Sequence, residues 1–152
     1  MLSGEYCNRD VVFVGDSDYV TKAAELMRDN HITHVVVIQS KFGKNIPVGI
    51  ISDRDIVIDF IASQVDIHNT PIKNLLKSNI VVVDEHDDLM VTIKRMRMSG
   101  LGRVIVVNSN GELIGVLSID EIIGVISESI MDLEQIMIRD RDSGYLNHTI
   151  NA

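Results

Sequence analysis

Disulfides are excluded at the outset, because Cys7 is the only cysteine in the 152 residues. A lone thiol fits a reducing, cytoplasmic setting. Proline is nearly absent, with two residues, and no long polar tract appears, so the chain is not built for wholesale disorder. Basic residues are also scarce. Fourteen Lys and Arg stand against 22 Asp and Glu, for a formal net charge of −8, which excludes the broad basic face that non-specific nucleic-acid binding requires. A small anion remains admissible, because one arginine and a helix N-terminus can act locally. No apolar run approaches the ~18 residues of a membrane span; the longest apolar-rich stretch, Ile119 to Ile138, is broken by Asp120, Glu121, Ser127, Glu128, Asp132 and Glu134. The opening MLSGEYCNRD lacks the basic start and apolar core of a signal peptide. Metal clusters are missing too: His31 and His34 lie three apart, with Cys7 distant in sequence.

What is present is a repeat. VVFVGDSDYV (11–20) aligns with IVVVDEHDDL (80–89), and HITHVVVI (31–38) with GLGRVIVV (100–107), both at an offset of 69 residues. Gly49 and Gly115 align at 66, so the first copy carries three extra residues around its SKFGKN turn. Each copy opens on a β-branched run, Val11–Val14 or Ile80–Val83. An acidic or hydroxyl cluster suited to helix capping follows. A helix comes next, with the apolar stripe Val20, Ala24, Met27 or Leu89, Ile93, Met96. Met27, Met90 and Met96 are expected in the core, and His31 or Gly100 ends the helix. Two strands then follow, Val35–Ile38 and Val48–Ile51 in one copy, Val104–Val107 and Leu113–Leu117 in the other. A second helix closes each copy. Pro71 introduces a short helix, Ile72–Leu76, in the joining segment. The order β-α-β-β-α, twice, places the chain in the α+β class, with copies over 1–66 and 67–142 and a polar tail over 143–152.

Both copies carry G-h-h-S-x-x-D/E, where h is apolar: Ser52 precedes Asp55 by three, and Ser118 precedes Glu121 by three. Such a pair is a helix capping box, in which the serine accepts from the third amide and the acid reaches back. Capping leaves Arg54 unexplained, since a cation in the first turn opposes the helix dipole. A ligand offers the other reading. A carboxylate can accept both hydroxyls of a ribose diol, and a serine, an arginine and free helix amides suit phosphate. Both roles can coexist.

Two such copies resemble a pair of cystathionine-β-synthase (CBS) domains, the Bateman module. The resemblance rests on CNRDVVFV, AAELMRDNHI, THVVVI and GIISDRDIV, with PIKNLLKSNIVVV as a second lead-in, and covers nearly the whole chain. It implies two repeats packed sheet against sheet about a pseudo-two-fold axis, with clefts that take an adenosyl ligand such as AMP, ADP, ATP or S-adenosylmethionine. It further implies that Ile50, Ser52, Arg54 and Asp55 of one copy face Ile80, Leu101, Gly102, Ser78 and Arg103 of the other. The second cleft would join Ser118, Asp120 and Glu121 to Val11, Ile32, Thr33 and His34. That second motif departs from the pattern: Asp120 stands where the first has Arg54, and glutamate replaces aspartate, so a weaker site is expected.

The last helix is expected from Ile119 to about Asp140, with a frayed tail beyond Arg139. Its stripe Ile122, Ile126, Ile130, Leu133, Met137, together with Ile56, Phe60 and Ile61, exceeds what two small repeats can cover, and this predicts a homodimer. The reading is a stand-alone, non-catalytic regulatory module that binds an adenine nucleotide and signals to an effector protein. The alternative is a dimeric interaction scaffold that binds no ligand. A catalytic role lacks a positioned base, metal cluster or nucleophile pairing.

Overall fold

The second half of each β-branched run forms a strand one residue further on than expected, Phe13–Gly15 and Val82–Asp84, and a helix follows each. The computed structural model describes residues 1–77 and 80–150, with side chains to residue 144. Helix α1 (Ser3–Tyr6) leads into β1 (Phe13–Gly15), α2 (Val20–Asn30), β2 (His34–Lys41), β3 (Lys44–Ser52) and the single turn α3 (Asp53–Asp55). The helix continues through Ile56–Ile61 with π-type bonding, in which the amides of Ala62 and Val65 donate to the carbonyls of Val57 and Phe60. After a short 3₁₀ turn, Ile72–Asn74, come β4 (Val82–Asp84), α4 (Leu89–Ser99), β5 (Arg103–Val107), β6 (Leu113–Ser118) and α5 (Ile119–Ile150). A body of residues 1–118 and the helix that begins at Ile119 form two separate units.

The body contains two three-stranded sheets, β1-β2-β3 and β4-β5-β6. In each, the outer strand is parallel to the centre and the third is antiparallel. Both antiparallel pairs shift register at the equivalent place, Val37/Ile38 and Val106/Val107. The central strands are apolar on both faces because both faces are covered. Val35 and Val37 join Val14, Val20, Met27, Ile51 and Phe60 in the first repeat's core. Val36 and Ile38, on the other face, meet Ile105, Val107 and Val116 of the second sheet. The sheet-to-sheet arrangement follows from this alternation.

The helix ends match between copies. His31 adopts the left-handed conformation (φ 53°) that Gly100 adopts at the end of α4 (φ 67°). Details differ from the sequence expectation. The buried stripe of α2 is Val20, Ala23, Met27, with Ala24 exposed, because the helix begins at Val20 and turns Ala23 inward. Met90 is exposed, one position beyond the buried Leu89. The three extra residues of the first copy lengthen β2 and β3 rather than the turn, which narrows to Phe42-Gly43, both at positive φ, as a two-residue hairpin requires. Ile72–Leu76 forms only a 3₁₀ turn, closed by Leu75 donating to Ile72.

The two lead-in segments are exchanged between the sheets. The amides of Ser3 and Gly4 donate to the carbonyls of Asp87 and Glu85, and Asn8 exchanges two backbone hydrogen bonds with Val116 (2.8 and 3.0 Å). The Ser3 hydroxyl meets that of Thr92 at 2.8 Å, and both residues are buried. The joining segment does the same for the first repeat: Ile72 and Lys73 donate to the carbonyls of Asp18 and Asp16. The start of each copy thus packs on the other. Both motif glycines lie beneath these crossings. A Cβ on Gly49 would stand 2.6 Å from Leu76, and one on Gly115 would stand 2.6 Å from the Asn8 carbonyl and from the Cys7 sulfur.

The apolar residues of the first repeat's second helix divide differently from expectation. Ile56 and Phe60 are buried in their own core, whereas Val57, Ile58 and Ile61 are exposed. Four residues apart, Ile56 and Phe60 share the helix face that turns to the core. Helix α5 continues through Ile150, beyond the expected stop near Asp140. No proline follows Pro71 to stop it. Residues 151 and 152 of the expected tail lie outside the described residues. Among the described residues no helix is long and apolar enough to cross a membrane.

Candidate functional site

The turn from β3 into α3 sets the chemistry. Strand pairing carries the chain up to Ser52, opposite His34, and the amide of Asp53 then donates to the Thr33 carbonyl at 2.9 Å. The capping box forms in full: the Asp55 amide donates to Ser52 Oγ (3.1 Å), and Asp55 Oδ2 accepts from the Ser52 amide (2.8 Å). One carboxylate oxygen is thereby committed to backbone. The other, Oδ1, lies 3.5 Å from Lys77 Nζ, which also pairs with Asp59.

Asp55 opens onto a cleft of about 380 Å³ lined by Ile50, Asp55, Lys77, Ile80, Val81, Leu101, Gly102 and Arg103. Its size falls within the range of small-molecule sites. Ile50 and Asp55 come from the first copy, and residues 80–81 and 101–103 from the second. The crossing segment delivers Lys77. Apolar walls from Ile50, Ile80 and Leu101 thus flank three ionic groups. Arg103 opens β5 opposite Ser118, and its Nε is buried with no hydrogen-bond partner among the described residues. Such a buried donor is costly unless something accepts from it.

Partial burial pushes the Asp55 carboxyl up, but the Ser52 amide and hydroxyl and the Lys77 ammonium outweigh it and hold it below its ordinary value. A depressed carboxylate contributes stability above its unfolded value, near ~4, and loses it as pH falls through the lower folded value. Asp55 is therefore anionic throughout the neutral and mildly acidic range.

Of the residues expected at this site, the fold brings Ile50, Asp55, Ile80, Leu101, Gly102 and Arg103 onto one cleft. Ser78 lies outside the described residues. Ser52 and Arg54 are not on the cleft wall. The Ser52 hydroxyl is turned into the cap, and Arg54, one position before Asp55 in a helix of 3.6 residues per turn, is rotated onto the exposed side. Lys77 and Val81 were missed; nothing in KNLLKSNIVV singles out Lys77 until the crossing is known. The residues expected at the second cleft are placed individually. Val11 packs against the inter-sheet core and Ile32 against the first core. Thr33 accepts from Asp53, His34 opens β2, and Ser118 ends β6. Asp120 and Glu121 occupy the first turn of α5. Among the described residues no cluster of His, Cys, Asp and Glu could hold a metal ion.

Two exchanged α+β repeats with a cleft between them define a tandem-repeat architecture. The CBS domain family matches residues 3–60 and 72–128, and the chain belongs to it. An uncharacterized protein of Methanopyrus kandleri is 27% identical over 134 residues, which cover 88% of this chain and 67% of that protein. An uncharacterized protein of Acidianus ambivalens is 31% identical over 103 residues, covering 68% of this chain and 59% of the relative. The chain thus spans about two thirds or less of these relatives' length. A CBS domain protein of Pyrobaculum aerophilum, solved in complex with AMP, is 30% identical with a TM-score of 0.69, over 80% of this chain and 89% of that one.

Proposed function

We propose that the protein is a regulatory module that binds an adenine nucleotide, of the AMP, ADP, ATP or S-adenosylmethionine type, in the Asp55 cleft and signals to an effector protein without turning the ligand over. The observation that carries this reading is the cleft itself, where a carboxylate and an arginine whose buried Nε has no partner among the described residues stand among apolar walls drawn from both repeats. The AMP complex of the Pyrobaculum relative supports the ligand class. The adenine lies against Ile50, Ile80 and Leu101. The ribose diol donates to Asp55, displacing Lys77 from Oδ1, and the phosphate engages Arg103 and the released Lys77. Signalling follows from differential affinity: the nucleotide favours one arrangement of the repeats, and the effector reads it. The protein works in the cytoplasm, as a homodimer.

Titration calorimetry of the nucleotide-free protein with AMP, ADP, ATP and S-adenosylmethionine tests the reading. Saturable binding of at least one is expected; no heat with any of them would favour the ligand-free scaffold. Incubation with ATP, ADP or AMP should return each intact by chromatography. Phosphate release that survives extensive purification and is lost in Asp55→Ala would establish catalysis instead.

Lys77 gives a sharper test of where the phosphate lies. Lys77→Met removes a mostly exposed cation, so its contribution is screened and small, about fivefold in affinity. AMP and ATP should weaken by about that factor while adenosine, which has no phosphate, should not weaken. An equal loss for adenosine would assign Lys77 a structural role only.

A further inference from the structure

Lys77 reaches the Asp55 cleft from the crossing segment. Its ammonium lies 3.5 Å from Asp55 Oδ1 and also pairs with Asp59, one turn further along the helix. Asp55 Oδ2 already accepts from the Ser52 amide. Oδ1 is therefore the oxygen offered to the cleft, and Lys77 is the group that holds it. The contact adds little to the fold, because the lysine side chain is 63% exposed and an exposed ion pair is screened by water. A lysine is a compact charge on a flexible four-carbon stem. It can leave one anion for another without any movement of the backbone.

We infer that Lys77 makes the cleft selective for phosphorylated nucleosides, by occupying the diol acceptor until a phosphate draws it away. The inference rests on the nucleotide reading of the cleft and adds how the empty site turns nucleosides away. Any ribose that reaches Asp55 Oδ1 must separate it from Lys77. A nucleoside gives the ammonium no anion in exchange, so part of its binding free energy goes into breaking the pair. A nucleotide brings a phosphate of about −1.5 to −2 charge, which takes up the ammonium as the diol takes up Oδ1. One side chain thus opposes the first class of ligand and assists the second. Asp59, the other partner of Lys77, keeps the ammonium near the cleft while Oδ1 exchanges partners.

Calorimetric titration of the unmutated protein, Lys77→Met and Lys77→Arg with adenosine and AMP tests this, with adenosine read by displacement of AMP where its own heat is small. In Lys77→Met the affinity for adenosine should rise by about two- to fivefold, the range of an exposed ion pair. AMP should weaken by about fivefold, so the preference for AMP over adenosine falls by roughly tenfold or more. Lys77→Arg keeps the charge and should keep the preference. Unchanged adenosine affinity in Lys77→Met overturns the competition and leaves Lys77 a phosphate contact. An equal shift of both ligands makes Lys77 a structural residue and overturns the selectivity as well. In both cases AMP binding by the unmutated protein leaves the nucleotide reading standing. No heat from AMP, ADP, ATP or S-adenosylmethionine removes that reading and this inference together.

Discussion

Asp55→Asn should lower the affinity for AMP by roughly 10- to 150-fold while leaving the melting temperature nearly unchanged. The two effects separate because the carboxylate does two jobs with two oxygens. Oδ2 accepts the Ser52 amide and closes the capping box, and an asparagine carbonyl can do the same. Oδ1 faces the cleft beside Lys77, and there asparagine offers an amide donor to a diol that needs an acceptor. A hydrogen bond to a charged group contributes about 1.5–3 kcal/mol, and each ~1.4 kcal/mol is tenfold in affinity. Asp55→Ala adds the loss of the cap, about 0.5–2 kcal/mol of stability, and should lower the melting temperature as well. Glu121→Gln should matter far less, since the Glu121 carboxyl stands one methylene further from its backbone than that of Asp55. Calorimetric titration of the three variants reads these outcomes directly. Unchanged affinity in Asp55→Asn, or a larger loss in Glu121→Gln, would move the main site away from this cleft. Because Asp55 is held below the ordinary carboxylate range, its contribution should be flat between pH 5 and 8.

Gly115→Ala should destabilise the fold more than Gly49→Ala, although the two positions are equivalent in the repeat. The added Cβ at 115 meets the Asn8 carbonyl at 2.6 Å, and that carbonyl is held by the Val116 amide in a reciprocal pair of hydrogen bonds. Backbone pinned in this way cannot step aside. At 49 the Cβ meets only the end of the Leu76 side chain, which borders a small cavity lined also by Phe60 and Leu75 and can turn away. Overpacking typically costs about 1–3 kcal/mol. For a chain of this size each kcal/mol lowers the melting temperature by about 2–8 °C. Gly115→Ala is therefore expected several degrees below the unmutated protein, and Gly49→Ala between the two. Thermal unfolding followed by circular dichroism decides it; an equal effect at both positions would mean that the Asn8 crossing yields as easily as a leucine side chain.

Much of this architecture was legible in the chain. The 69-residue repeat carries the duplication of strands and helices, because elements of the same pattern fold the same way. The continuous apolar runs Val35–Ile38 and Val104–Val107 announce strands covered on both faces, and the serine-acid pair announces a cap. Errors arose where a side chain's surroundings depend on something far away in sequence. Ile56 and Phe60 read as surplus surface because an apolar pair four residues apart looks the same whether it faces its own core or a partner, and packing with Val14, Met27 and Ile51 puts them inside. Ser52 and Arg54 stand beside Asp55 in sequence, yet the Ser52 hydroxyl closes the cap on the Asp55 amide and Arg54 lies on the exposed side of the turn. Lys77 gave no local signal at all.

The sequence by itself determined the class of fold, the duplicated plan, the capping chemistry at Asp55 and the apolar period of the last helix. These are matters of local periodicity and local hydrogen bonding, which a few adjacent residues decide. Tertiary structure alone decided that the lead-ins cross, that glycine is needed at 49 and 115 beneath them, and that Asp55, Lys77 and Arg103 share one cleft. Those facts depend on the packing of two sheets face to face, which brings together residues as far apart in the chain as Ile50 and Arg103.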